Sequence, residues 1–326
     1  SGFGREGGRE GMFEYLKRKG TSLAAPKSKP APKKVKAAAS APALVAIDRT
    51  AKNFIGGKQA RPDSGYSRPV LSPTGQVLGQ VGDGNRKDIR NAVEAAAKAE
   101  SWATTSGHSR AQILYYTAEN LSARAAEFAR RLRQMTGAST AQADKEVEAS
   151  IQRLFTYAAW ADKFDGAVHD PPLRGVVLAM HEPQGVVGIA CPDEMPLLSF
   201  VSLFAPAAAM GNRVVIVPSE RHPLAATDFY QVLETSDMPA GVINIVTGAR
   251  DTLAKTLAEH GNVDAMWYFG PRSGFNDVET ASAADLKRTW CVEGDRLPWF
   301  DTIEGEGRQF LRHATQVKNI WIPYGA

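Results

Sequence analysis

The sequence predicts an α/β fold built on a doubly wound, mostly parallel sheet with helices on both faces. From about residue 173 onward, runs rich in valine and isoleucine alternate with amphipathic segments of helical length, and the runs include GVVGIA, RVVIV and VINIV. Continuous apolar runs are typical of strands covered on both sides, and parallel strands require connections long enough for a helix. With 326 residues, 43% of them hydrophobic, the chain is long enough to bury such a core.

The residues before this region predict surface hairpins followed by helices. NFIGGK alternates apolar and polar residues, and SRPVLSPTGQVLGQVG does the same around a turn at Ser72 to Gly75. Asn85, with Asp88 three residues later, predicts the N-cap of a first helix. Apolar stripes predict two further helices, the second with Leu114, Leu121, Phe128 and Leu132 and the third with Val147, Ile151, Leu154, Phe155 and Ala158.

Composition and charge disfavour several classes of partner. No run of about 18 or more apolar residues occurs, so we expect no membrane-spanning helix. The net charge of +4 arises in residues 20–46, which hold five lysines and no acid, so that the rest of the chain carries −1. This Lys/Ala/Pro segment predicts an extended linker. Because no aromatic residue is interleaved with its charges, we do not expect it to bind nucleic acid.

Two features bear on where the protein acts. Cys191 and Cys291 are the only cysteines, and both lie in apolar, strand-like contexts. A reduced thiol in such a context packs as a small hydrophobic group, which favours a cytoplasmic location. Because the chain begins with Ser1 rather than methionine, we expect it to be part of a longer polypeptide.

The stretch GVVGIACPDEMPLL, residues 185–198, places two carboxylates at the end of a predicted buried strand. Asp193 and Glu194 lie between Pro192 and Pro196, just before a new apolar helix. In open α/β sheets, ligands bind in the crevice beyond the carboxyl ends of the strands. The two acids therefore occupy a position at which catalytic or binding groups are expected.

Three specific motifs follow one another in the second half of the chain. They are EPQGVVGIACP, APAAAMGNRVVIVPSE and GVINIVTG. In this order they resemble the NAD-binding domain of the aldehyde dehydrogenase superfamily, and the likeness extends from NFIGGK to about residue 294. The resemblance implies a Rossmann-like sheet accompanied by β-hairpin and strand elements that serve oligomerisation.

Both ends of the chain resemble parts of the same family. Residues 1–19 carry a weak G-x-G-x-x-G pattern with no strand before it, and they resemble the final helix of another aldehyde dehydrogenase module. FLRHATQVKNIWIPYG resembles the carboxyl-terminal oligomerisation strand, which in the family joins the hairpin before E-P-x-G-V-V-G and presents an edge to a neighbouring module. The resemblance implies tandem modules, as in the aldehyde dehydrogenase 16 family, with this chain as the second module. Its expected parts are the tail of the preceding module at 1–19, the linker at 20–46, the Rossmann-like domain at 47–296 and a tail with the oligomerisation strand at 297–326.

The catalytic groups of the family are not matched. Asp193 and Glu194 stand where the family has Trp-Asn, and the asparagine amide donates to the oxyanion, whereas a carboxylate only accepts. Cys291, in TWCVEGD, falls on the position of the general base, with Glu293 two residues further on and no cysteine after it. We therefore expect no catalytic subdomain, no catalytic residue and a structural role for the Cys291 thiol.

A remnant of the family's cofactor site is expected at three residues. Pro218 and Glu220 remain from the K-P-S-E motif, whose lysine is replaced by Val217, and Gly270 remains from a phosphate turn in which Pro271 lacks an N–H. Glu220 has two interpretations, a ligand for ribose hydroxyls or an exposed carboxylate at a strand end. We take Pro218, Glu220 and Gly270 as vestigial cofactor-binding residues, and we expect neither a cofactor nor a metal in this chain.

Retention of the hairpins and the terminal strand, beside loss of the catalytic contacts, favours a structural function. We expect a non-catalytic module that packs on and organises the active, NAD-dependent aldehyde dehydrogenase module of its parent, within a homo-oligomer. The alternative is a regulatory NAD-binding module. A third hypothesis, in which the basic linker binds nucleic acid or an anionic surface, ranks last.

Overall fold

A computed structural model describes residues 50–172 and 174–323, which form twelve strands and eleven α-helices. The strands are β1 (Asn53–Ile55), β2 (Lys58–Ala60), β3 (Ser67–Leu71), β4 (Val77–Gly82), β5 (Ala167–His169), β6 (Gly175–Pro183), β7 (Val186–Ala190), β8 (Arg213–Val217), β9 (Ile243–Ile245), β10 (Ala265–Phe269), β11 (Arg288–Val292) and β12 (Thr315–Pro323). The helices are α1 (Arg86–Lys98), α2 (Ser101–Thr104), α3 (Gly107–Ala123), α4 (Ala125–Thr136), α5 (Thr140–Trp160), α6 (Leu198–Ala209), α7 (Leu224–Asp228), α8 (Tyr230–Thr235), α9 (Arg250–Ala258), α10 (Phe275–Ser282) and α11 (Arg308–His313). The predicted tail at 1–19 and linker at 20–46 lie outside the described residues. Within the described ranges, no helix is both long and apolar enough to cross a membrane.

The central sheet has seven strands in the order β11, β10, β7, β8, β9, β1 and β2. The five strands from β7 to β11 run parallel, while β1 and β2 add an antiparallel edge. The predicted doubly wound, mostly parallel sheet is therefore confirmed.

Alternate residues of the central strands pack against different helices. One buried cluster joins α5 and α6 to strand residues that include Val187, Ile189, Val214 and Ile216. The other joins α1, α9 and α10 to their neighbours in sequence, which include Val186, Val215 and Val217. Both faces are thus covered, as the continuous apolar runs require.

Two predictions about local structure are confirmed. The hairpin of β3 and β4 closes around the Ser72–Gly75 turn, where the Ser72 N–H donates to the Gln76 carbonyl at 2.8 Å. Asn85 caps α1 by accepting from the N–H groups of Lys87 and Asp88, and the Asp88 carboxylate accepts from the Asn85 N–H at 2.9 Å. This reciprocal pair satisfies N–H groups that the first turn of a helix leaves free.

The apolar stripe interpreted as one second helix spans two helices, so that prediction was wrong. The break falls at Arg124, which ends α3 and begins α4 with φ −108° and ψ 11°. The Arg124 guanidinium donates to the Glu127 carboxylate at 2.9 and 3.0 Å and lies 5.6 Å from the centre of the Phe128 ring. These contacts fix the bend, and the stripe stays buried because both helices face the same core.

Two segments join sheets other than those expected. NFIGGK forms a hairpin, but β1 also pairs with β9, with Phe54 opposite Ile245, so it extends the central sheet rather than lying on the surface. The Asn53 carboxamide secures this edge by accepting from the Thr247 N–H at 3.0 Å. β6, from the region assigned to the parallel sheet, instead lies between β5 and β12 in a separate antiparallel sheet.

The second sheet contains the terminal strand predicted from QVKNIWIPYG. β12 pairs with β6 over its full nine residues, from Thr315 opposite Pro183 to Pro323 opposite Gly175. The expected pairing of the terminal strand with the strand before the EPQGVVG motif is therefore confirmed.

A buried arginine fixes the chain between β11 and α11. The Arg153 side chain, on α5, is 2% exposed. Its guanidinium donates to the carbonyls of Trp299 (2.7 Å) and Gly305 and to the Ser202 hydroxyl (2.9 Å), and it forms an ion pair with Glu306 at 3.4 Å. We call residues 293–307, which lead from β11 to α11, the returning segment; the Arg153 side chain helps to hold it against α5 and α6.

We predict that Arg153→Met lowers the free energy of unfolding by about 3–5 kcal/mol, because it leaves the Glu306 carboxylate and buried carbonyls without a partner. Urea unfolding followed by circular dichroism measures the change. Arg90→Ala is the matched control, because Arg90 pairs with Glu94 at 3.6 Å on the surface, where the expected loss is below about 1 kcal/mol. Equal losses in the two variants would contradict the role given to Arg153.

Candidate functional site

The carboxyl ends of the parallel strands enclose a small crevice. A cavity of about 260 Å³ lies there, and its lining includes Asp193 and Glu194 after β7, Arg250 at the start of α9 and Gly270 after β10. Of the three residues predicted to be vestiges of a cofactor site, Gly270 lines this cavity. Pro218 and Glu220 follow β8 at the same edge of the sheet but are not part of the lining.

Asp193 is paired within the chain. Its Oδ1 atom accepts from the Ser219 hydroxyl at 2.7 Å and from the Arg221 N–H at 3.1 Å. Its Oδ2 atom lies 3.5 Å from Nη1 of Arg250, whose side chain is only 11% exposed. The acid at the mouth of β7 therefore binds the chain's own cations and amides.

Glu220 is also engaged by α9. Its Oε2 atom accepts from the Arg250 N–H at 2.9 Å, at the first residue of the helix. A carboxylate at a helix N-terminus satisfies a free N–H and is favoured by the helix dipole. The structure thus gives Glu220 a role that neither interpretation included, because its carboxylate caps α9. This contact occupies one of the oxygens that a ribose would need.

The other side of Arg250 meets a second acid. Its Nε atom donates to Oδ1 of Asp251 at 3.1 Å, and the Tyr268 hydroxyl donates to the same oxygen at 2.7 Å. Burial, and then the hydrogen bond to Asp251, raise the pKa of the Tyr268 hydroxyl, so it remains a donor at neutral pH. The Arg250 guanidinium thus lies between Asp193 and Asp251.

Two N–H groups of the turn after β10 are already engaged within the chain. The Gly270 N–H already donates to the Val292 carbonyl at 3.2 Å, the Gly274 N–H donates to the Pro271 carbonyl at 3.0 Å, and Pro271 has no N–H. A Cβ atom at Gly270 would lie 2.7 Å from the Tyr268 ring. Gly270 is therefore needed for packing against Tyr268, and the N–H groups of Gly270 and Gly274 are not free to bind a phosphate.

Neither cysteine is suited to nucleophilic attack. Cys191 directly follows β7 and is fully buried, which raises the pKa of its thiol. Burial, followed by the charge of Glu279, raises the pKa of Cys291 to about 12. With pKa values raised in this way, both thiols are protonated at neutral pH. Since the thiolate is the reactive form, neither cysteine is a good nucleophile.

Glu146 binds the backbone directly after residues 193–196, which we call the acidic loop. Its Oε1 atom accepts from the N–H groups of Leu197 (2.9 Å) and Leu198 (3.3 Å), where α6 begins. The residue is 5% exposed, and burial raises the pKa of its carboxyl to about 7, against the lowering effect of the two N–H groups.

Sequence reasoning missed Arg250, Asp251, Tyr268 and Glu146. One local signal was present, because Arg250 and Asp251 follow the GVINIVTG motif at the end of a predicted strand, where charged residues face the crevice. Glu146 gave no signal, since nothing in its helix indicates that it caps another helix 51 residues away. In the part of the chain that the structure describes, no group of three residues is arranged to hold a metal ion.

Comparison with known proteins identifies the family. The model of the aldehyde dehydrogenase family matches residues 61–294. The chain belongs to the aldehyde dehydrogenase family. Phenylacetaldehyde dehydrogenase of Pseudomonas fluorescens is 32% identical over 79% of this chain and 54% of its own length. Aldehyde dehydrogenase 1A1 of Equus caballus is 31% identical over 76% of this chain and 51% of its own length.

Solved structures agree with the family assignment. An NAD-dependent aldehyde dehydrogenase of Sinorhizobium meliloti superposes with a TM-score of 0.71 at 28% identity, over 74% of this chain and 50% of that one. Betaine aldehyde dehydrogenase of Staphylococcus aureus, solved with NAD+, superposes with a TM-score of 0.70 at 24% identity, over 73% and 48% of the two chains, and shares the fold. This chain spans about half the length of the aldehyde dehydrogenases that it matches.

We predict that Glu146 makes the protein less stable as pH rises. A carboxyl whose pKa is about 7 when folded and 4.5 when unfolded favours folding most below pH 4.5, and this contribution is lost as pH rises through 7. The loss is on the order of 3 kcal/mol. Glu146→Gln retains an acceptor for Leu197 and Leu198 but cannot ionise.

Urea unfolding at pH 5 and pH 8 tests this prediction. The fall in unfolding free energy between the two pH values should be smaller in Glu146→Gln than in the wild type. Glu148→Gln, at an exposed position of the same helix, serves as control and should keep the wild-type dependence. An unchanged fall in Glu146→Gln would show that Glu146 is ionised in the folded protein at low pH.

Proposed function

We propose that this chain is a non-catalytic aldehyde dehydrogenase module that packs on the active module of its parent protein and organises the assembly. The observation that carries the proposal is the exposed apolar face of the sheet formed by β5, β6 and β12. Val168 is 71% exposed, Met180 47% and Ile322 43%. Exposed apolar patches on a folded chain mark surfaces that contact another molecule.

The register of the sheet places these residues together. Val168 is opposite Leu178, Ile322 is opposite Val176, and Met180 lies two residues beyond Leu178 on the same strand. Residues directly opposite one another, and residues two apart along a strand, project from the same face. The apolar face is therefore continuous across all three strands.

The outer edge of β12 indicates how another module could join this sheet. In the described ranges β12 pairs with β6 alone, so the backbone groups along its other edge have no strand partner. Such an edge can add to the sheet of another module through main-chain hydrogen bonds. An aldehyde dehydrogenase module of the same or a partner polypeptide is the occupant that we propose.

The crevice supports a non-catalytic role. Asp193 and Glu194 can only accept hydrogen bonds, so they cannot stabilise an oxyanion as a donor does. Both thiols are protonated, and Arg250 is enclosed by two acids of the same chain. We therefore assign neither a cofactor nor a catalytic residue to this chain, and Pro218, Glu220 and Gly270 are vestiges in this proposal.

Membership of the aldehyde dehydrogenase family supports a proposal for the parent protein. We propose that the chain is the second, truncated module of a tandem aldehyde dehydrogenase like those of the aldehyde dehydrogenase 16 family. The active module would oxidise an aldehyde with NAD in the cytoplasm, within a homo-oligomer. The regulatory alternative, in which this module binds NAD, is separated from the structural role by the first of two experiments.

We predict that the isolated chain neither oxidises aldehydes nor binds NAD. Incubation with NAD and phenylacetaldehyde should produce no NADH, and Cys291→Ala should leave that result unchanged, because the thiol is protonated. Calorimetry should detect no binding of NAD. Micromolar affinity that is lost in Glu220→Ala would instead support the regulatory module.

The second experiment changes the apolar face in the full-length parent. Met180→Lys combined with Ile322→Lys should produce smaller species in sedimentation or lower the aldehyde dehydrogenase activity, because charges would be buried at the proposed interface. Since both residues are exposed in this chain, the far-UV signal of the isolated module should not change.

Asn319→Lys is the matched control, because Asn319 is exposed on the opposite face of β12, opposite Ala179. It should leave mass and activity as in the wild type. If the double variant also keeps wild-type mass, activity and thermal stability, the proposed role of this face is wrong.

A further inference from the structure

A second, larger cavity lies beside the acidic loop. Its volume is about 600 Å³, which is within the range of small-molecule sites. Its walls are the turn at residues 136–138, the first turns of α5, the loop at residues 193–196, and Phe300 from the returning segment. It adjoins the crevice at Asp193 and Glu194, which line both cavities.

Glu146 lines this cavity with half of its carboxyl group unused. Its Oε1 atom accepts from two N–H groups of α6, whereas Oε2 has no hydrogen-bond partner among the described residues. Oε2 is also absent from the polar atoms that are both buried and unpartnered, so it is open to the cavity. A carboxyl in so buried a position gains free energy from any donor that a ligand brings.

The other charged groups around the cavity differ in whether they are already paired. Asp193 is engaged by Arg250 and Arg221, whereas Glu194 forms no hydrogen bond or ion pair with a described residue. Lys145 is the only ammonium group in the lining, and its Nζ atom lies 4.3 Å from the centre of the Phe300 ring. His222 also faces the cavity, and burial lowers the pKa of its imidazole, so it adds no charge at neutral pH.

An apolar surface lies next to the two available carboxyl groups. Met195 is 37% exposed and Phe300 is partly buried. Met195 has φ +46°, a conformation that is uncommon for a residue with a side chain and that is found at ligand sites. The cavity thus joins an apolar wall to Glu194 and to the one oxygen of Glu146 that has no hydrogen-bond partner among the described residues.

We propose that this cavity binds a small organic amine, with its ammonium group on the free oxygen of Glu146 and near Glu194, and its apolar body against Met195 and Phe300. This inference goes beyond the proposed assembly role, because the site is formed within this chain and needs no second module. An anionic ligand would meet two carboxyl groups, and a neutral ligand would leave Glu146 without a charged partner.

Calorimetry of the full chain with hexylamine, hexanol and hexanoate tests the proposal. These probes have the same alkyl chain and differ in the terminal group. We expect hexylamine to bind at least about tenfold more tightly than either of the others, as charge-assisted hydrogen bonds require.

Proton release gives a second measurement that a purely apolar site would not produce. The Glu146 carboxyl has a pKa of about 7, so it is partly protonated at pH 7, and a bound ammonium would favour its ionised form. Titrations in two buffers of different ionisation enthalpy should show a fraction of a proton released for each hexylamine bound. Absence of release would place the amine away from Glu146 and overturn the proposal.

Two variants locate the site. Glu146→Gln keeps an acceptor for the α6 amides and should weaken hexylamine binding on the order of tenfold or more, while Glu148→Gln should have no effect. Glu194→Gln, at an exposed position, should weaken binding less and gives a second test should Glu146→Gln not fold. The proposal is wrong if hexanol binds as tightly as hexylamine, if hexanoate binds more tightly, or if both variants keep the wild-type affinity. It is also wrong if hexylamine does not bind at 10 mM, which corresponds to a binding free energy weaker than about 3 kcal/mol.

Discussion

The buried guanidinium of Arg153 is the contact on which the closure of this fold depends. A parallel sheet needs cover on both faces, and the face against α5 and α6 is completed by the segment that returns from β11. That segment consists largely of turns, whose own hydrogen bonds are mostly local and do not by themselves join it to α5 or α6. Arg153 supplies partners to the carbonyls of Trp299 and Gly305 and to the Glu306 carboxylate, and the Tyr157 hydroxyl donates to the Glu306 carbonyl at 2.6 Å. In this way a single helix, α5, fixes the path by which the chain reaches α11 and β12.

The same principle governs the crevice, where Asp193, Arg250 and Asp251 are paired within the chain. A charge near the low-dielectric interior is unfavourable unless a partner of opposite sign is close. Asp193, Arg250 and Asp251 alternate in sign across the ends of the strands, and the Tyr268 hydroxyl completes the network. A ligand with phosphate groups would have to break these contacts before it could form its own. Of the two acids that suggested a reactive site in the sequence, Asp193 therefore acts as a partner for an arginine, whereas Glu194 forms no ion pair with a described residue.

The sheet was predictable from the sequence because its signals are local. Continuous apolar runs indicated the strands, and Asn85 with Asp88 indicated the start of α1. The contacts of Arg153 and Arg250 were not predictable, since they join residues that are distant in sequence and leave no periodic pattern. Arg153 meets Trp299 across 146 positions. The division at Arg124 was missed for a related reason, because an apolar stripe continues from one helix to the next when both face one core.

The two sheets differ in how much of their surface is satisfied by contacts within the chain. At the crevice the polar groups of Asp193, Glu220 and Arg250 have partners within the chain, so the isolated module leaves little unsatisfied there. On the second sheet, apolar side chains face solvent and one edge of β12 lacks a strand partner among the described residues. Burying that apolar area would release free energy of about 25 cal/mol for each Å², whereas opening the crevice would first require the separation of paired charges. This difference supports the proposed association through the second sheet, and it argues against the binding of a phosphate ligand between Asp193 and Arg250.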